Sequence, residues 1–121
     1  MSIESVIAQT LKAWPELTDV VVRPDKAEQT DQPPYIVYQK VTGRRIQSLQ
    51  GDSGLANPHF QFDVYARTRV QVIELREALR HAIAANPALG TVHAGEGAGF
   101  EEETRLCRER IDFSFWFDDQ Q

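Results

Sequence analysis

Between positions 33 and 66 the chain reads PPYIVYQKVTGRRIQSLQGDSGLANPHFQFDVYA. In the last third of that stretch, Phe60, Phe62 and Val64 alternate with His59, Gln61, Asp63 and Tyr65. Successive side chains of a strand point to opposite faces, so a period of two marks a strand with one buried face. Residues 35–46 form a second strand-like run, and the insert between the two runs is polar, with Gly51, Gly54 and Asn57-Pro58. The stretch predicts a long antiparallel hairpin with a mobile polar tip. Everything else in the chain reads as material that packs on this hairpin or extends its sheet.

The first run is apolar on both faces. Ile36 and Tyr38 lie on one, Tyr35, Val37 and Val41 on the other. Such a pattern implies an interior strand, or one whose second face is covered by another subunit. Gly43 marks a bulge or bend, and Arg44 and Arg45 place two adjacent cations near the tip.

Ahead of the hairpin, Ile3, Val6, Ile7, Leu11 and Trp14 recur at helical spacing and predict a helix over residues 3–13. Ser2 caps its start and Pro15 stops it. A β-branched run, Asp19-Val20-Val21-Val22-Arg23, then predicts a short strand closed by Pro24, and residues 25–34 read as a loop. After the hairpin, Thr68-Arg69-Val70-Gln71 matches a capping box. Val72, Leu75, Leu79, Ala82 and Ile83 form the stripe of a second helix that Asn86-Pro87 ends. Residues 89–99, with four glycines, read as a flexible connection around a short strand at 91–94. In the final segment, 104–117, Ile111, Phe113, Phe115 and Phe117 alternate with Asp112, Ser114 and Trp116, a strongly buried strand. Glu109 falls on its apolar face, which predicts that the strand leaves the core there or meets a partner. The architecture expected is α+β: an antiparallel sheet built on a long hairpin, with both helices packed on one face.

With 121 residues there is material for one domain, 1–121. A chain of that length buries roughly two-thirds of its unfolded surface, enough to stand without disulfides or metals. The lone Cys107 excludes an internal disulfide framework and fits a reducing compartment. The opening MSIESVIAQTLK does not read as a secretory leader, and no apolar run approaches a membrane span. Thirteen Lys and Arg against eighteen Asp and Glu leave a formal charge of −5, which opposes direct nucleic-acid recognition.

No set of residues converges on chemistry. The GEGAG run at 95–99 is followed by Phe100, Glu101, Glu102 and Glu103, not by the helix N-terminus that a phosphate loop needs. His59, His81 and His93 have no metal-site spacing, and His81 follows Glu77 by four residues as an ordinary helix-surface pair. Cys107 has no identifiable base, and Ser53 lacks the GxSxG elbow. Hence no catalytic residue, cofactor or metal is expected. Arginines cluster at 44/45, 67/69 and 105/108/110; they read either as solvated strand edges or as patches complementary to a neighbouring protein.

PYIVYQKVTG, then a polar loop with GDSGLANP, then HFQFDVYARTR leading into a helix, resembles the small tail-completion, or head–tail joining, proteins of long-tailed bacteriophages and prophages. The order of elements agrees over essentially the whole chain. The resemblance implies a non-enzymatic virion assembly protein at the head-proximal end of the tail, in the tail or neck of the virion, assembled in the bacterial cytoplasm. It implies a ring of copies, commonly a hexamer, in contact with connector proteins of head and tail. The competing reading is a small acidic intracellular binding or adaptor module. The residues expected to carry the contacts are Arg44, Arg45, Leu49, Asp52 and Leu55 on the tip, and Glu101, Glu102 and Glu103 as the acidic patch. Residues 47–57 are expected to be disordered in the isolated subunit and to order on assembly, since Leu49 and Leu55 alone cannot offset the ordering entropy.

Overall fold

The computed structural model describes residues 2–42, 45–48, 51–56, 58–87, 89–101 and 105–118. Helix α1 spans Ile3–Ala13; the Ser2 side chain accepts from the Ser5 amide at its start, and a single 3-10 turn, Pro15–Leu17, follows it. Ile7 and Leu11 are fully buried, with Ile3, Val6 and Trp14 packed beside them. Strands β1 (Val21–Pro24) and β2 (Tyr35–Thr42) come next. They pair in parallel, Val21 opposite Tyr35, so the sheet is mostly rather than wholly antiparallel.

The hairpin is present, and it is longer than its alternating part suggests. Strand β2 pairs with β5 (His59–Ala66) from Tyr35/Tyr65 to Thr42/His59. Beyond it, β3 (Arg45–Ser48) pairs with β4 (Gly51–Ala56), from Arg45/Ala56 to Ser48/Gly51. Most of the insert expected to be an unpaired polar tip is therefore a two-stranded arm. The register shifts at Lys40/Thr42 and at Arg45/Gln47, which is where the single run expected over 35–46 breaks into β2 and β3.

Helix α2 (Arg69–Ala85) starts with the Thr68 hydroxyl accepting from the Gln71 amide. Its buried stripe is Val72, Leu75, Ala78, Leu79, Ala82 and Ile83. The short strand expected at 91–94 is present, and the flexible connection expected around it is also strand: β6 spans twelve residues, Gly90–Glu101. It lies along β7 (Leu106–Asp118), from Gly90/Trp116 to Glu101/Leu106. Glycine has weak strand preference, so the order here comes from β7, which supplies the ladder partners.

Strand β7 is the hub. One of its edges takes β5, from Ala66/Cys107 to His59/Ser114, and then β4 at Ala56/Phe117 and Leu55/Asp118. The register is continuous across the junction, where the Phe115 amide donates to the Pro58 carbonyl at 2.9 Å. The other edge takes β6. The inner face carries Ile36, Tyr38, Phe60, Phe62, Val64, Ile111, Phe113 and Phe115, all buried. Rings meet across strands, Phe62–Phe113 at 5.7 Å and Phe60–Phe115 at 5.9 Å, both edge-to-face. That arrangement adds to simple area burial.

Both helices lie on this face. Helix α2 packs on β5 and β7, and α1 packs on α2, tied by Asn86 Nδ2 donating to Thr10 Oγ1 at 2.7 Å. Burial, then the Glu4 and Asp25 carboxylates, hold the Tyr38 phenol above its usual range.

The loop 25–34 that links the two parallel strands is braced by charge. Arg23 grips Asp31 with two hydrogen bonds, 3.1 and 3.0 Å, and the Glu28 amide donates to Asp31 at 2.8 Å. Arg23 first, and the amide second, hold the Asp31 carboxyl below its ordinary range.

Two outcomes follow. Phe62→Ala and Phe113→Ala each lower stability by about 3–5 kcal/mol in urea unfolding. A loss under about 1 kcal/mol for both would remove them from the core. Because the folded Asp31 has the lower pKa, its contribution is complete above the unfolded value of about 3.9 and is lost as pH falls through the folded one. Asp31→Asn therefore flattens the acid limb of a melting-temperature profile below about pH 4 and lowers the plateau at neutral pH.

Candidate functional site

Among the described residues, no three His, Cys, Asp or Glu side chains are grouped to hold a metal. Cys107 is half-buried on β7 against the core. The GEGAG run lies inside β6, so its amides serve a strand rather than a helix N-terminus. Glu77 is not reserved for His81. Arg80 Nε donates to it at 2.7 Å and Arg76 approaches at 3.4 Å, and these contacts, Arg80 first, hold its carboxyl below the ordinary range. Among the described residues no helix is long and apolar enough to cross a membrane.

What the fold does assemble is a set of surfaces. Arg45 opens β3; Asp52 and Leu55 lie on β4, opposite Gln47 and Asp118. Glu101 ends β6, opposite Leu106. Arg44, Leu49, Glu102 and Glu103 lie outside the described residues. The basic arm thus meets β7 at Asp118, and the acidic strand end meets it at Leu106. These are the two ends of a thirteen-residue strand, about 40 Å apart along its contour at roughly 3.3 Å per residue. The described members of the two expected contact clusters thus lie toward opposite ends of β7.

The face of the sheet opposite the helices is a second surface. Tyr35 and Tyr65 have ring centroids 5.1 Å apart, Gln39 donates to Gln61 at 2.9 Å, and Arg110 grips Asp63 at 2.8 and 3.3 Å. Tyr35 and Val37 are half-buried, while Val41 is 56% exposed. Trp116 sits on the same face at the root of the arm, 44% exposed. The alternation of the last strand placed Trp116 among Asp112 and Ser114, and an exposed tryptophan on that polar row is the signal that a search for chemical groups passes over. On β6, a Cβ at Gly99 would stand 2.8 Å from Arg108 Nη2, so the glycine lets that guanidinium lie across the strand.

A sheet platform with a paired arm, and helices on one face only, defines a small α+β module. The family model described as "Tail completion protein gp17" matches residues 5–118. The chain belongs to this family of phage tail completion proteins, and its role lies in phage tail assembly. A search of curated proteins finds no match.

One charge in this tail completion protein overturns an expectation. Glu109 does not mark a place where β7 leaves the core; it is 3% exposed beneath α2. Its Oε1 accepts from Arg76 Nη1, while Oε2 is buried without a hydrogen-bond partner among the described residues. The sequence offered no signal for the pair, because Arg76 stands on a helix whose rotation about the sheet is decided by packing. A buried ion pair adds little net stability, yet removal of one partner strands the other charge. Arg76→Ala therefore lowers stability by about 3–5 kcal/mol. The double replacement Arg76→Met with Glu109→Leu recovers most of that loss, and a double-mutant cycle with no coupling would contradict the pairing.

Proposed function

We propose that this tail completion protein closes the head-proximal end of the tail as a ring of identical subunits and joins it to the head, with a hexamer as the expected closure. It works by protein–protein contact and carries out no chemistry. The observation that carries this reading is the separation of the basic arm from the acidic strand end along β7. A closed ring needs two different patches per subunit that meet only between copies. Patches at opposite ends of one strand satisfy that condition, since neither can neutralise the other internally.

In this reading the arm reaches a neighbouring subunit or connector protein. Arg44, Arg45 and Asp52 set its orientation, Leu49 and Leu55 anchor it, and Glu101, Glu102 and Glu103 receive it. An exposed charge pair contributes only about 0–1 kcal/mol, so the apolar anchors, repeated around the ring, supply most of the hold.

Deletion of residues 48–56 tests the reading. Strand β4 supplies β7 only with partners for its last two residues, so the platform remains folded by circular dichroism. The same deletion abolishes joining of tails to heads in a complementation assay. Normal yields of infectious particles from the deletion would show that the arm is not the contact element.

A further inference from the structure

Every ladder in this sheet has a partner except at its margins. Among the described residues, β6 pairs only with β7, β3 only with β4, and β1 only with β2. Strand β1 is four residues long and ends at Pro24, a protected edge. Strand β6 is different. After its one irregularity at His93/Gly95, the segment 95–101 follows β7 without a break, and it contains neither proline nor lysine.

The direction of its peptide groups can be deduced. The Phe115 amide points to Pro58, so odd-numbered residues of β7 turn their N–H and C=O groups toward β5 and even-numbered ones toward β6. In an antiparallel ladder, residues exchange both bonds at alternate pairs. Gly95, Gly97, Gly99 and Glu101 stand opposite even-numbered residues and bond to β7. Glu96, Ala98 and Phe100 stand opposite Ile111, Glu109 and Cys107, so their N–H and C=O groups point outward from the sheet. Gly97 has open space where a side chain would stand, and Phe100 is 54% exposed.

An unpaired edge of this kind takes a strand. A second β6 is a poor occupant, because residues 90–103 carry four glutamates and no Lys or Arg, so two copies repel. The other open margin of the chain, β3, begins at Arg45 and follows Arg44 in the sequence. We propose that β3 of one copy adds to the outward edge of β6 over residues 96–100 of the next, joining copies head to tail into one continuous sheet. The interface is heterologous, with a basic edge meeting an acidic one, as closure into a ring requires. It rests on the ring reading above and names the surface that makes the ring.

Proline discriminates between the two edges of β6. Ala98→Pro removes an outward N–H and leaves the bonds to β7 in place, so the variant folds as the parent does. Its self-association, read by sedimentation, falls by about tenfold or more, since the lost bond recurs at each interface. A charge exchange gives an independent route: Arg45→Glu and Glu101→Arg each weaken association, and the two together restore it. A benzophenone amino acid at Gln47, irradiated in assembled particles, joins to residues 95–101 of another copy. Adducts only to a different protein, or Ala98→Pro subunits that associate and join normally, overturn the edge pairing while leaving the tail-completion ring intact. Particles in which wild-type copies never contact one another overturn both.

Discussion

The pairing of β7 on both of its edges is the constraint on which the rest depends. Its odd-numbered residues, Ile111, Phe113 and Phe115, form the middle of the hydrophobic face, and α2 is held there by contact with β5 and β7. Its two edges order strands that could not order themselves. Strand β6 is rich in glycine and β4 is polar, and neither buries enough apolar surface to offset its own ordering entropy. Strand β6 forms along the row of peptide groups that β7 presents, already held in place by the core, while β4 meets that row only at Leu55 and Ala56 and pairs with β3 from Gly51 to Ala56. The Phe rings that stabilise the fold thus also decide where the arm and the outer edge are.

Charge follows the same geometry. On the inner face one carboxylate, Glu109, is buried, and Arg76 of α2 neutralises it. On the outer face Arg110 and Asp63 pair between neighbouring strands, and on the parallel margin Arg23 braces the loop through Asp31. These local pairs consume much of the charge near the platform. Among the described residues, the arm and the end of β6 meet β7 at its opposite ends. In the ring proposed above, stability and assembly draw on different charges, so that contact residues can change without unfolding the subunit.

For a phage tail completion protein this division has a physical advantage. In the ring proposed above, a subunit remains folded alone and then holds firmly when copies meet. A net charge of −5 works against non-specific association, while weak contacts repeated around the proposed ring sum to a firm one. An open strand edge suits such a task, because its hydrogen bonds form only when a neighbour arrives in register. The face bearing Tyr35, Tyr65 and Trp116 adds aromatic surface of the kind that anchors interfaces.

What the sequence determined by itself is local. Helix α1 over Ile3–Ala13, the Ser2 and Thr68 caps, the stripe of α2 and strand β5 over His59–Ala66 are all readable, because a period of 3.6 or 2 is written in neighbouring residues. The hairpin was readable for the same reason as far as its alternation lasts. Tertiary structure decided the rest. Residues 89–99 read as a flexible connection with a strand only at 91–94, because glycine states no preference, and the strand runs over Gly90–Glu101 because β7 lies beside it. Residues 47–57 read as a polar tip because side chains were weighed, while the ladder between Arg45–Ser48 and Gly51–Ala56 is made by backbone groups common to every sequence. Glu109 reads as a misfit until α2 places Arg76, thirty-three residues earlier in the chain, above it. The placement of basic arm and acidic strand end at opposite ends of one strand is likewise invisible in the sequence, since it depends on which segments pair across the fold.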